Sequence, residues 1–116
     1  MRPSRLAMIL TLLAACAAGR QEILSRTMAG VDAASKAFLA YDQHHQAELV
    51  DAAISRADGA AALFAYRAKR DKVAAAFIGA YSALAVASVD LSDASLTAAA
   101  HATAAMLAAM RNLGVL

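Results

Sequence analysis

Apolar residues recur at threes, fours and sevens over most of the chain, the spacing of one helical face. The first stripe reads Leu24, Met28, Val31, Phe38, Tyr41, His45, Leu49 and Ala52, and predicts a helix over about 20–56. The second reads Leu63, Tyr66, Arg70, Val73, Phe77, Ala80, Leu84 and Ala87, for a helix over about 60–88. The third carries Leu96, Ala99, Thr103, Met106, Met110 and Leu113, for a helix over about 94–112. Two polar breaks separate them. Asp58-Gly59 joins a residue that can cap a helix to the one that bends most easily. Asp90, Ser92 and Asp93 offer several caps for the third helix. Gly114 suits a C-terminal cap, and Val115-Leu116 should fray.

A turn as short as Asp58-Gly59 makes the first two helices antiparallel neighbours. Folding about it pairs positions whose numbers sum to about 115. Phe77 then falls near Phe38, Leu84 near Val31, Tyr66 near Leu49 and Arg70 near His45. The expected fold is all-α: a long antiparallel helical hairpin with a shorter third helix folded back on it, a three-helix bundle. Alternation of the strand kind is absent, and the only proline, Pro3, precedes all three helices.

Alanine fills 35 of the 116 positions, which favours helix and close helix approach but gives little apolar burial per residue. Self-association would add burial to so thin a core.

The start of the chain follows another logic. Arg2 and Arg5 precede an apolar run over residues 6–13, too short to span a bilayer, followed by Leu13-Ala14-Ala15-Cys16. Cys16 is the only cysteine, which excludes an internal disulfide or a cysteine metal cluster. This arrangement resembles the signal peptide and lipobox of bacterial lipoproteins. The resemblance implies that residues 1–15 are removed, that Cys16 is acylated, and that residues 16–19 are a short tether before a helical domain over 20–116. Several fatty chains exceed what stable membrane anchoring needs. Ala17, rather than aspartate, after the cysteine implies the periplasmic face of the outer membrane of a Gram-negative bacterium. Ala15-Cys16-Ala17 also fits ordinary signal-peptidase cleavage, the alternative route of export. The mature part does not resemble the peptidoglycan-linked lipoprotein, because it lacks a C-terminal lysine, nor the proline-rich outer-membrane spanins of phage lysis.

Processing changes the charge. The chain has 11 Lys+Arg and 9 Asp+Glu; without Arg2 and Arg5 the balance is 9 against 9. A net charge of zero gives no electrostatic basis for nucleic-acid binding, and Arg67, Lys69, Arg70 and Lys72 read as a solvated helix face.

The polar segment over residues 41–48 holds the candidate chemistry. Asp42 and His45 are three apart and His44 and Glu48 four apart, so each pair shares a helix face. Asp42, His44, His45 and Glu48 could ligate zinc or copper, the basis of a periplasmic metal-sensor alternative. Adjacent histidines diverge by about 100° on a helix, however, which opposes joint ligation. His101 lies on a different helix. The plainer expectation is a solvated His44 and a His45 packed in the seam, hydrogen-bonded to Asp42 or Arg70. Asp42, His45 and Arg70 then form a structural polar layer that penalises slipped registers. Tyr41, Tyr66 and Tyr81 read as core residues with solvated hydroxyls. No strained nucleophile turn or phosphate loop occurs, so the expectation is no catalysis, no cofactor and no small-molecule substrate. Partners are the membrane, through lipidated Cys16, and a protein or another copy of the chain. The uncharged stretches over 73–89 and 94–110 also admit a holin-like multi-span membrane protein, although alanine contributes little to insertion.

Overall fold

A computed structural model describes the backbone from Pro3 and the side chains from Gly19 to Leu116. The protein is all-α, with α1 over Pro3–Ser55, α2 over Gly59–Val89 and α3 over Asp93–Leu113. The breaks fall where the two polar segments lie. The backbone of α1 is helical through residues 16–19. With no proline beyond Pro3 and abundant alanine, nothing local stops it.

The two ends of α3 fix the topology. Arg20 Nη1 donates to the Leu91 carbonyl at 3.1 Å, and Arg20 Nη2 lies 2.9 Å from Asp93. At the other end, the Tyr41 hydroxyl donates to the Leu113 carbonyl at 3.3 Å. Residues 20–41 of α1 therefore run parallel to α3, and α2 runs antiparallel to both. The bulk of the α3 contact is with α2. Above Tyr41 the hairpin continues as two helices alone.

Each stripe meets the core. Leu24, Val31 and Phe38 of α1, Tyr66, Val73, Phe77, Ala80, Leu84 and Ala87 of α2, and Ala99, Met106, Met110 and Leu113 of α3 are buried together. Phe38 and Phe77 pack with ring centroids 5.6 Å apart, as the expected register requires. Met28 departs from its stripe and is exposed, lying at the margin of the seam instead of within it.

The turns are built differently from one another. Ser92 caps α3, accepting from the Ser95 backbone N–H at 3.1 Å. The Ser92 and Ser95 hydroxyls both donate to Asp90. Asp93 in the first turn and Arg111 in the last complement the helix dipole. Asp58, expected to cap α2 with its side chain, makes no such bond; its backbone is already right-handed helical. Gly114 caps α3 at φ 101°, where a side chain would be strained, and the Val115 N–H returns to the Met110 carbonyl. Val115 packs against the core instead of fraying.

Candidate functional site: a buried carboxylate in the hairpin seam

Asp42 is the only buried charged residue among the described residues, 5% exposed. It lies one turn beyond Phe38 on the same face of α1, so helix geometry carries it into the seam. A carboxylate there is costly unless its oxygens are paired. Three donor groups do this. Arg70 Nε lies 2.8 Å from each carboxylate oxygen, and the Tyr66 hydroxyl donates to Oδ1 at 2.8 Å. Gln46, one turn along α1, donates from 3.1 and 3.3 Å. Among the described residues no buried side-chain polar atom lacks a partner.

The register explains the pairing. Asp42 with Arg70, Asp32 with Tyr81, and His45 with Tyr66 sum to 111–113, a few residues short of the 115 that Phe38 and Phe77 keep. Arg70 thus meets Asp42 and not His45. His45 instead stacks on Tyr41, with centroids 5.2 Å apart, and meets the edge of Tyr66 at 4.7 Å. Its Nδ1 lies 3.7 Å from Glu48, and it makes no hydrogen bond to Asp42 or Arg70. The expected layer of Asp42, His45 and Arg70 is therefore a layer of Asp42, Tyr66, Arg70 and Gln46, with His45 as an aromatic lid.

The four suggested metal ligands do not converge. His44 Nε2 and Glu48 Oε1 are 3.0 Å apart on the exposed face of α1, while the Asp42 oxygens point into the seam and are taken by Arg70. No group of three or more His, Cys, Asp or Glu with metal-holding geometry occurs among the described residues. His101 lies exposed on α3. The Cys16 side chain lies outside the described residues.

Tyrosine roles were the least legible part of the sequence. Tyr66 is buried and bonded to Asp42; Tyr41 holds the end of α3; Tyr81 donates to Asp32 at 2.7 Å. All three hydroxyls have protein partners. The signal available was spacing: Gln46 lies four residues after Asp42, and Tyr66 four before Arg70.

Electrostatics follow the geometry. Burial pushes the Asp42 carboxyl up, but bonds from Arg70, Gln46 and Tyr66 outweigh it and hold the group below its ordinary value of 3.8. Burial, then the bond to ionised Asp42, pushes the Tyr66 hydroxyl well above its ordinary value of 10.0. The bond to Asp42 likewise raises Arg70. A depressed carboxylate stabilises the fold above its unfolded pKa and loses that effect as pH falls through the folded one. A raised tyrosine does the reverse, contributing below its unfolded pKa and losing that contribution as pH rises. Unfolding free energy should therefore plateau between these limits, decline as pH drops below about 4, and decline again above about 10. Urea titrations across pH check this, and Asp42→Asn should flatten the acid limb. An unchanged acid limb in Asp42→Asn would assign it to other carboxylates.

The arrangement can hold two helices in one register and exclude a bare charge from the core. Comparisons of the chain with protein-family models, with curated proteins and with solved structures find no match.

Proposed function

We propose that this chain is a small lipid-anchored, periplasm-facing helical protein that works by contact: a structural or assembly module of the cell envelope. The observation that carries this reading is the position of the sole cysteine, Cys16, directly after a basic start, a short apolar run and two alanines. Lipid on Cys16 would set the location, and the helical hairpin would present its faces to a protein partner or another copy. The absence of net charge after processing fits a partner recognised by packing more than by charge. The polar layer at Asp42 supports the same reading, because its donors are spent within the seam and serve to fix the hairpin as a rigid unit.

The test is the N-terminus of chain expressed with its own leader in a Gram-negative host. Mass spectrometry should find residues 1–15 removed and Cys16 acylated. Cys16→Ser should abolish the lipid and release the protein from outer-membrane fractions. An intact Met1 with a free thiol would overturn the reading; an unlipidated N-terminus after Ala17 would leave export and remove the anchor.

One observation favours a second reading as a membrane-spanning protein. Among the described residues, α2 is long and apolar enough to cross a bilayer by length and composition, with mean hydropathy 1.6 over 18 residues. Carbonate extraction of a Cys16→Ala chain separates the two, since only a spanning helix keeps it in the membrane.

A further inference from the structure

We propose that the hairpin face turned away from α3 is a self-association surface, on which a second copy packs antiparallel about a two-fold axis near Leu39 and Ile78. This rests on the reading of the chain as a contact module but not on acylation of Cys16.

Two heptad rows define the face. On α1 they are Ser25, Asp32 and Leu39; on α2 they are Phe64, Asp71, Ile78 and Ala85. The Tyr81 hydroxyl crosses from α2 to Asp32 on this side of the seam, while Tyr41 and Arg20 hold α3 on the other. Large apolar side chains stand open along it: Leu39 is 53% exposed, Ile78 69%, Phe64 70% and Met28 42%. None is needed by the core already described.

The two ends of the face complement each other. The turn end carries projecting Phe64 and, three residues on, Arg67. The other end carries a shallow hollow lined by Leu24, Ser25, Met28, Asp32 and Ser88. In the observed register Phe64 lies about ten residues above Leu39 along the hairpin, and the hollow about as far below, roughly 16 Å each way. A two-fold axis through the Leu39/Ile78 level therefore brings Phe64 of each copy to the hollow of the other. The same operation sets Arg67 toward Asp32, opposite charges meeting twice, as a symmetric interface demands. A strip roughly 33 Å long and two helices wide offers on the order of 650 Å² per copy, close to the about 800 Å² per partner of a stable interface. Asp32 and Asp71 on the face argue against an anionic bilayer as its occupant.

The test uses the full chain carrying Cys16→Ser, with single cysteines introduced at Leu39, Ile78 or His101. Mild oxidation should give disulfide dimers through Leu39→Cys and Ile78→Cys, near the axis, and not through His101→Cys on the outer side of α3. Adding Phe64→Asp should weaken dimerisation roughly ten-fold or more, with helicity by circular dichroism unchanged because Phe64 is already exposed. Equal crosslinking at all three positions, or dimerisation indifferent to Phe64→Asp, would overturn the proposal. So would a monomer whose binding to phosphatidylglycerol vesicles is what Phe64→Asp removes. Failure here leaves the Cys16 experiment standing, and failure there leaves this one.

Discussion

Arg70→Leu is expected to leave helical content intact while lowering the unfolding free energy by about 2–3 kcal/mol. The substitution removes the charge partner of Asp42 and leaves a carboxylate that is 5% exposed with only Tyr66 and Gln46 as donors. Breaking a fully buried pair costs about 3–5 kcal/mol; here the Arg70 side chain keeps 35% of its surface in solvent, which reduces the effect. The reverse change, Asp42→Leu, frees Arg70 to turn outward and should cost less, although the Tyr66 hydroxyl then loses its acceptor. The double variant should recover part of the sum, with a coupling of about 1 kcal/mol or more in a double-mutant cycle. Urea denaturation followed by circular dichroism measures all four corners. Strict additivity would mean that the layer does not act as a unit. Because the layer penalises slipped registers, spin labels across the hairpin should also report a broader distance distribution in Arg70→Leu. A distribution as narrow as that of the parent chain would confine the role of the layer to stability.

The second large effect belongs to the turn. Gly59→Ala should destabilise the hairpin by about 3 kcal/mol. A Cβ at this position would collide with the Ala52 carbonyl oxygen and lie 2.6 Å from Ala52 C and Ala53 Cα. Those atoms are backbone, so no side chain can move aside, and the two helices must part where they are joined. Gly30 and Gly79 provide the contrast. Nothing lies within 4 Å of a Cβ built at either, and both sit inside helices. Alanine at those positions should stabilise by about 0.5–1 kcal/mol each, the ordinary gain of replacing a helical glycine. Thermal melts of the three variants test the argument together. A Gly59→Ala chain melting with the parent would show that the turn relaxes without loss.

These two effects act at different heights of one hairpin. The turn sets where α2 begins, and the Asp42 layer, well below it, sets which residues face each other. Between them the hairpin has no third helix for support, since α3 ends against Tyr41. This two-helix stretch is thus bracketed by the close approach at Gly59 and the polar layer at Asp42.

The reach of the sequence differs from element to element. The bounds of α2 and α3 lie within one residue of those read from polar breaks and apolar spacing, and their buried residues other than Gly59 all lie on the stripes, of which Leu63, Arg70, Leu96 and Thr103 are half-buried. Helix formation here is a local matter, written in alanine content, the lack of proline and the caps at Ser92 and Gly114. Periodicity likewise fixes which side of a helix turns inward. Asp42 was legible as a seam residue on that ground alone.

What periodicity leaves open is the axial position of one helix against another. Asp42 paired with Arg70, His45 left to stack on Tyr41 and Tyr66, and three tyrosine hydroxyls bound to partners 24 to 72 residues away are all outcomes of register. In a seam lined largely by alanine, arrangements one turn apart bury nearly the same apolar area. Only the few large and polar side chains distinguish them, and they do so by contacts that exist once the helices are side by side. The chain's own sequence thus determined the helices, their inward faces and the turns between them. Tertiary packing alone decided the register, the partners of Asp42 and the half of the hairpin that α3 covers, because those depend on interlocking across the seam and not on spacing along one helix.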